Sequence, residues 1–522
     1  MSTHRARVLW PIVGWCIAVA ATSLSLWPTL RQAIVGDDLV FVTFGGLGRL
    51  WANPSIPDFT RYWIVENVGS NHVTPLNGVA YALQIIGVDR LQGLGIGIAD
   101  AWTFFRLAWI EVAILASAFL LHSWQPLMRL PAVPRRHAML LYFSLISATV
   151  VATVQLHALW TYDPVLSYSV ATWLTISLGL VYLATLARLW SAERSALGRW
   201  AAAAIACGIV GVLTYEMMIA AVLAGAIAVA ILAFSRWRAE GLVRRLVWSA
   251  TALAIPFVTF AAAQWARSLW PSWYEGTQTG YTALILPVLI AGVIGSLPLA
   301  SMQLAQSAAG GISADVGAVL QTWFAVIVLG SLSFRILRRG AQPNAPKKGA
   351  NWWAVSALVL ALGAFWVGST LIFAVSAKYQ YELGTTIGNT YLHYSVGILC
   401  VACLVTLAAL ALAPLTRAYS VVGLVVILMA VSAIQASANS SIARALDAKL
   451  GWTIPLVDAL DGTVDDAARC RLGADLTGSG LPERQRIAIM NGLSDAYLAR
   501  YGKEYCQEWV NRPAPADNLA LH

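Results

Sequence analysis

VLWPIVGWCIAVAATSLSLW, residues 8–27, carries no charged residue. A transmembrane helix needs about 20 mostly apolar residues, so this stretch predicts a helix that crosses a membrane. Two adjacent acids, Asp37 and Asp38, follow it. Charge beside a membrane is usually paired, hydrated or functional, so this pair is the first candidate for a site.

The composition is that of a polytopic membrane protein. Hydrophobic residues make up 59% of the chain and charged residues 11%, whereas a soluble protein carries about 25% charged residues. The 23 tryptophans fit anchoring at membrane interfaces. The net charge of +9 does not indicate a nucleic-acid partner, because the basic residues cluster in short loops between apolar stretches.

The N-terminus has the basic start of a signal peptide, with Arg5 and Arg7, and a small-residue motif at 18–20. The apolar stretch nevertheless continues past that motif to Trp27. We therefore expect an uncleaved first helix.

The basic loops decide the predicted topology. Their clusters fall at residues 129–136, 188–199, 236–245 and 335–348, and the positive-inside rule puts such clusters in the cytoplasm. Residues 281–299 contain two prolines and two glycines and are predicted to be a re-entrant element rather than a span. With the N-terminus inside, the fold class is all-α with about eleven spans (roughly ten to thirteen). The spans are predicted near 8–27, 101–121, 138–157, 165–187, 200–214, 217–234, 246–266, 316–334, 352–374, 391–413 and 419–436.

Two domains follow from this topology. Residues 1–436 form the membrane domain, and within it residues 28–100 form a long first outer loop with interfacial helices. Residues 437–522 form an outward C-terminal tail, which is long enough for a small helical appendage but not for a large independent core. Because the outer side is oxidising, we expect a disulfide between Cys470 and Cys506. Cys400 and Cys403 lie in an apolar span and are expected to be core residues.

Motifs for nucleotide-driven chemistry do not occur in the sequence. It contains no GxxxxGK[ST], no GxGxxG after a strand, no zinc spacing and no GxSxG. Candidate functional groups instead gather at the predicted outer ends of the spans.

Five short motifs stand in order along residues 1–235. They are Asp37-Asp38, His72-Val73-Thr74-Pro75-Leu76, Arg106, Tyr162-Asp163-Pro164-Val165-Leu166 and Leu213-Thr214-Tyr215-Glu216. This order resembles the class C glycosyltransferases, membrane enzymes that use polyprenyl-phosphate sugars. The closest resemblance is to the branch of the protein O-mannosyltransferases and the lipid A aminoarabinose transferase. Three positions depart from that pattern: Thr74 replaces a proline, an alanine is missing after Asp163, and Glu216 stands where lysine is common.

The resemblance implies transfer of a sugar from a polyprenyl-phosphate donor to a hydroxyl of an envelope glycan, lipid or protein. The enzyme would act on the outer face of a bacterial inner membrane. A lipid phosphate is already a good leaving group, so the chemistry needs a base for the acceptor proton and cations for the departing phosphate. Asp37 is the expected base, and Asp38 would orient it or help to bind a metal.

The remaining site residues follow from the same resemblance. The candidate phosphate ligands are Arg61, Arg106, Arg267 and Lys378, and His72 belongs to the substrate site. Asp163 and Glu216 would contact sugar hydroxyls or help to hold a divalent cation, Mg²⁺ or Mn²⁺. The branch in question most resembles metal-independent members, so the metal is left open.

Structural explanations compete with each of these roles. The acid pair and Asp163 suit helix capping, and Glu216 suits a structural hydrogen bond. His72 suits an interfacial position, Arg267 and Lys378 suit snorkelling anchors, and Arg106 can pair with Asp100 or Glu111. His157 and His393 match no motif.

Two other functions compete with glycosyl transfer. A polymerase or ligase that uses lipid-diphosphate chains would need a large late outer loop, but residues 375–392 are few. A lipid-sugar transporter would show inverted repeats and broken helices at mid-membrane. No such symmetry is apparent, which ranks the transporter last.

Overall fold

The computed structural model describes residues 3–35, 37–69, 74–129, 137–157, 163–269, 278–280, 282–308, 310–340, 350–382, 384–388, 390–416, 418–479, 481 and 483–511. Within these ranges the chain forms helices and connecting turns, with one isolated bridge between Thr279 and Ser376 and no strand. The predicted all-α class is therefore confirmed.

The first hundred residues form one long helix and several shorter ones. A five-residue π-helical turn, Thr43–Leu47, joins α2 to α3, and Pro75 stands in the first turn of α5, where a proline costs no hydrogen bond. The helices are α1 (Thr3–Leu30), α2 (Asp37–Val42), α3 (Gly48–Ala52), α4 (Ile56–Gly69) and α5 (Pro75–Gly93).

The rest of the membrane domain follows as long apolar helices with a few shorter helices between them. They are α6 (Ile98–Met128), α7 (Ala138–Thr153), α8 (Ser169–Ser191), α9 (Leu197–Thr214), α10 (Met218–Ser235), α11 (Leu242–Ser268), α12 (Ile285–Gly295), α13 (Met302–Ala308), α14 (Val316–Gly340), α15 (Trp352–Ala374), α16 (Ala377–Glu382), α17 (His393–Thr416) and α18 (Tyr419–Leu450).

Ten helices in the described ranges are long and apolar enough to cross a membrane: α1, α6, α8, α9, α10, α11, α14, α15, α17 and α18. The chain is a multi-pass membrane protein. The predicted span near 138–157 corresponds to α7, which has 16 residues and is shorter than these ten. The element predicted over 281–299 contains α12, which has only 11 residues.

The two ends of this bundle differ in charge. The acidic end is where α1 ends and where α6 and α8 begin, and it contains Asp38 and Asp163. At the basic end, α1 begins and α14 finishes with Arg338 and Arg339 in its last turn.

The C-terminal region is continuous with the membrane domain. Helix α18 runs unbroken from Tyr419 to Leu450, so the boundary expected between residues 436 and 437 falls inside a helix. The polar residues after 436 do not end it, because the segment contains neither Pro nor Gly before Gly451 and keeps good helix formers such as Ala and Leu. Helices α19 (Thr453–Asp458), α20 (Asp466–Gly478) and α21 (Glu483–Tyr501) complete the appendage.

This appendage packs against the first loop and shares one core with it. Buried residues from both regions form a single cluster, which includes Leu39, Trp63, Leu456 and Tyr497. The two regions approach each other closely at Gly48, where a Cβ would lie 2.9 Å from the backbone nitrogen of Ala496. The short tail is thus stabilised by the first loop rather than by a core of its own.

Two polar contacts hold the appendage against the end of α5 and the start of α6. Asp458 accepts a hydrogen bond from the Ala99 nitrogen at 2.9 Å, so a residue of α19 caps the N-terminus of a membrane helix. Arg500 donates to Oε1 of Gln92 at 2.6 Å. Cys470 and Cys506 form the disulfide expected from the sequence.

Candidate functional site

The acid pair begins helix α2, directly after the chain leaves α1. Asp37 is the first residue of that helix, and its side chain lies outside the described part of the structure. Asp38 is fully buried. Its Oδ2 accepts from Nε1 of Trp102 and its Oδ1 accepts from the backbone nitrogen of Tyr168, both at 3.2 Å.

Tyr168 explains why a buried carboxylate is useful at this point. Its φ is 54°, a left-handed conformation that is unfavourable for a bulky residue. Tyr168 directly precedes α8, and its backbone N–H donates a hydrogen bond to Asp38. Asp38 therefore ties the acidic segment to the beginnings of α6 and α8 and supports a strained backbone.

Arg106 lies on α6 and is also fully buried. Its Nη1 donates to the carbonyl oxygens of Leu30 at 3.0 Å and Gln32 at 3.2 Å, and its Nη2 donates to that of Ala33 at 3.2 Å. These carbonyls belong to the stretch that leads from α1 to the acid pair. The guanidinium thus positions that stretch, which favours a supporting role over the expected contact with a lipid phosphate.

The charge of Arg106 also interacts with two acids that are distant in sequence, Asp38 and Asp163. The alternative partners considered from the sequence are occupied elsewhere. Asp100 pairs with Arg31 at 2.7 Å, and Glu111 accepts from the Ser23 hydroxyl at 2.5 Å.

Asp163 organises the turn between α7 and α8. Its Oδ1 accepts from the nitrogens of Val165 at 2.8 Å and Leu166 at 3.0 Å, and its Oδ2 accepts from the nitrogen of His157 at 2.5 Å. Burial raises the pKa of Asp163 to about 6, although these N–H groups and the charge of Arg106 oppose the rise. These contacts are those of a capping residue, as the structural explanation of Asp163 requires.

Two histidines that matched no motif lie buried near this turn. Nε2 of His157 is 2.8 Å from the Thr390 hydroxyl, and its ring packs edge-on against Tyr394 at 4.7 Å between centroids. His393 packs against Phe373 at 5.4 Å. Within the described residues, neither ring nitrogen of His393 has a hydrogen-bond partner. Their positions at the predicted ends of spans were the only available signal for either histidine.

The other predicted site residues are spread over several elements. Glu216 is half-buried in the turn between α9 and α10, and Arg61 is exposed on α4. Arg267 is half-buried in the last turn of α11. Lys378 is half-buried on α16, with its Nζ 5.8 Å from the ring centroid of Tyr379. His72 lies outside the described residues.

Residues 278–280, which come after α11, pair through their backbone with the segment that leads into α16 and Lys378. The Gly280 nitrogen donates to the Val375 carbonyl at 2.8 Å, and the Ala377 nitrogen donates to that of Gln278 at 2.9 Å. Gln380 reinforces the contact, since its Nε2 donates to the Gly280 oxygen at 2.7 Å. The chain after α11 is therefore held against the start of α16.

A polar cavity of about 440 Å³ opens at the acidic end between the end of α1, the end of α7, the start of α14 and the middle of α18. That volume lies within the range of small-molecule sites. Its polar lining includes Arg31, Asp315, Gln435, Asn439, Arg444 and Asp447. The cavity reaches the buried turn through Asn439, whose Oδ1 accepts from the Leu156 nitrogen at 2.9 Å and whose Nδ2 donates to the Val154 oxygen at 2.8 Å.

Metal ligands are not gathered at this end within the described side chains. The group of close His, Cys, Asp and Glu atoms found there is Cys470, Cys506 and Glu508. Its two sulfurs are bonded to each other, so they offer no thiolate to a metal.

Fold and site together define a multi-pass helical membrane protein with an interlocked charged cluster at one end. No family model, curated protein or solved structure matches the chain.

Proposed function

We propose that the protein is a membrane glycosyltransferase that uses a polyprenyl-phosphate sugar. One observation carries the proposal. Asp38, Arg106 and Asp163 belong to three motifs that lie far apart in sequence, yet all three are buried at the acidic end, where each makes hydrogen bonds with the segments that join α1, α6, α7 and α8. Motifs that arose by chance in the apolar sequence would have no reason to meet. The acceptor is a hydroxyl of an envelope glycan, lipid or protein.

The reaction needs one base. The acceptor oxygen attacks the anomeric carbon, the bond from that carbon to the phosphate oxygen breaks, and the acceptor proton passes to the base. The lipid phosphate leaves with the electron pair. Asp37 takes the proton in this proposal, because its neighbour Asp38 is buried and accepts N–H groups from Trp102 and Tyr168.

The departing phosphate needs cations. Arg267 and Lys378 are proposed for this task, because Arg267 ends α11 and Lys378 lies on α16, both at the acidic end. An arginine can bind a phosphate through two parallel hydrogen bonds, and a lysine binds it as a point charge. Arg106, in contrast, positions the approach to Asp37, and Asp163 shapes the neighbouring turn. Glu216 and His72 remain the proposed contacts to the sugar.

The cell location completes the proposal. The basic clusters favour a cytoplasmic basic end, so the acidic end would face the outer side of a bacterial inner membrane. Sugars carried on polyprenyl phosphates would reach the site from the outer leaflet.

The test is transfer from a panel of radiolabelled polyprenyl-phosphate sugars, with purified protein and envelope fractions as acceptors. Wild-type protein should transfer label from one donor, and Asp37→Asn should lower the rate by about 10²–10⁴-fold, the usual share of a general base. Asp58→Asn is the matched control, because Asp58 is an exposed acid in the same loop. Asp58→Asn should transfer at the wild-type rate.

Three outcomes would overturn the proposal. The first is full activity of Asp37→Asn. The second is no transfer by wild-type protein from any donor. The third is movement of the lipid-linked sugar across proteoliposomes without transfer, which would identify a transporter.

A further inference from the structure

A groove at the basic end lies apart from the candidate site. It has a volume of about 860 Å³ and runs between α1, α14 and α18. Along α14 it extends from Arg338 to Ile327, which is about 16 Å at 1.5 Å per residue. The groove therefore reaches from the end of the helix well into its apolar part.

The walls of the groove are apolar and partly open. Ile17, Ile327 and Val422 line it and are 39%, 44% and 44% exposed. Its floor is narrow because α14 and α18 touch at Gly330, where a Cβ would lie 2.2 Å from Cγ2 of Val425. A narrow groove of this kind fits an extended hydrocarbon chain better than it fits the bulky side chains of a protein partner.

The mouth of the groove is cationic. Arg335, Arg338 and Arg339 line it, and all three are exposed. The guanidinium carbons of Arg335 and Arg339 lie 5.3 and 4.9 Å from the ring centroid of Trp10. Among the described residues, those that line this groove include no acid, and none forms an ion pair with these arginines.

We propose that this groove binds an anionic phospholipid. The phosphate lies among Arg335, Arg338 and Arg339, and one acyl chain follows α14 toward Ile327. Charge complementarity selects this occupant: three arginines at the end of an apolar channel match a phosphate at the end of an acyl chain. A second copy of the protein, placed symmetrically, would instead bring arginines against arginines.

The site is independent of the proposed sugar transfer. It lies at the opposite end of the bundle and uses none of the residues placed in that reaction. Its failure and the failure of the glycosyltransferase proposal are therefore separate results.

The experiment is native mass spectrometry of full-length protein after delipidation and addition of defined lipids. Wild-type protein should retain phosphatidylglycerol or cardiolipin at least tenfold more than phosphatidylcholine. The combined variant Arg335→Gln, Arg338→Gln and Arg339→Gln should lose that preference. Ile327→Trp, which fills the channel and leaves the arginines in place, should lower retention as well.

The matched control removes three exposed arginines elsewhere on the basic side: Arg199→Gln, Arg238→Gln and Arg244→Gln. Arg199 and Arg238 also lie near a tryptophan ring, at 5.5 and 4.6 Å, so the control matches both charge and setting. It should retain anionic lipid like the wild type. Equal loss in the control, unchanged retention in the Arg335 triple variant, or stronger retention of a polyprenyl phosphate than of a phospholipid would each overturn the proposal.

Discussion

The acidic and basic ends of the bundle differ in whether their charged side chains are buried or exposed. At the acidic end, Asp38, Arg106 and Asp163 are buried, and N–H groups or carbonyl groups of the backbone bond to each of them. At the basic end, Arg335, Arg338 and Arg339 are exposed and lie against a tryptophan and an apolar groove. The buried charges of the acidic end stabilise its structure, whereas the exposed charges of the basic end are available to a ligand or to the membrane surface.

The largest loss of stability is expected from substitution of Arg106, because this buried charge at the acidic end bonds to three backbone carbonyl groups. Arg106→Met leaves three carbonyl groups without their donor and two buried acids without their nearby cation. Loss of one buried partner costs about 3–5 kcal/mol, so we expect little folded protein in detergent. Thermal melting and gel filtration measure this.

Arg61→Gln is the matched control for that experiment, since Arg61 is exposed at the same end. It should melt like the wild type. If Arg106→Met also melted like the wild type, the buried charge would not organise the acidic end.

The next effect is a dependence on pH that comes from Asp163. Its folded-state pKa of about 6 lies above the ordinary value of 3.8, so the folded protein holds this proton more tightly than the unfolded chain. The stabilisation is present below about pH 4 and is lost as the pH rises through about 6, by at most about 3 kcal/mol.

Asp163→Asn cannot ionise and should lack this contribution. The melting temperature of the variant relative to the wild type should therefore rise between pH 4 and pH 7. A constant difference across that range would contradict the burial of an ionisable Asp163.

A smaller effect is expected from the link between the appendage and α6. Asp458→Ala removes the side chain that accepts from the Ala99 nitrogen, and the loss of such a cap costs about 0.5–2 kcal/mol. Asp475→Ala changes an exposed acid of the same appendage and should cost less. Equal melting of the two variants would show that the cap adds nothing.

The smallest effect is predicted at the basic end. Arg338→Gln changes an exposed side chain, so the free energy of unfolding should change by no more than about 0.5 kcal/mol. A cost as large as that of Arg106→Met would remove the distinction between the two ends.

Much of the fold could be predicted from the sequence, because membrane spans leave a strong local signal. Long apolar stretches separated by basic loops marked the helices, and the predicted outer position of Cys470 and Cys506 suggested their bond. The length of the last long helix could not be predicted, since α18 continues through residue 436 to Leu450 without a change in helix propensity. The packing of the appendage on the first loop depends on contacts between residues that are distant in sequence, and local sequence patterns do not predict such contacts.

The candidate site was only partly predictable for the same reason. Arg106 was recognised as important, but its partners are backbone carbonyl groups, which have no signature in sequence. Asp163 was placed in a motif, and its capping of the turn was among the explanations considered. His157 and His393 were passed over, because a histidine buried at the end of a span looks like any other residue of an apolar stretch.

We propose different roles for two neighbouring acids: Asp38 holds the structure, and Asp37 takes the acceptor proton. Asp38→Asn should lower the melting temperature, because an amide nitrogen would face the N–H of Trp102 or Tyr168 and the charge beside Arg106 would be lost.

The most direct measurement follows sugar transfer and melting temperature together in Asp37→Asn. Transfer from the polyprenyl-phosphate donor should fall by about 10²–10⁴-fold while the melting temperature stays at the wild-type value. Full transfer by Asp37→Asn would contradict the proposed role of Asp37.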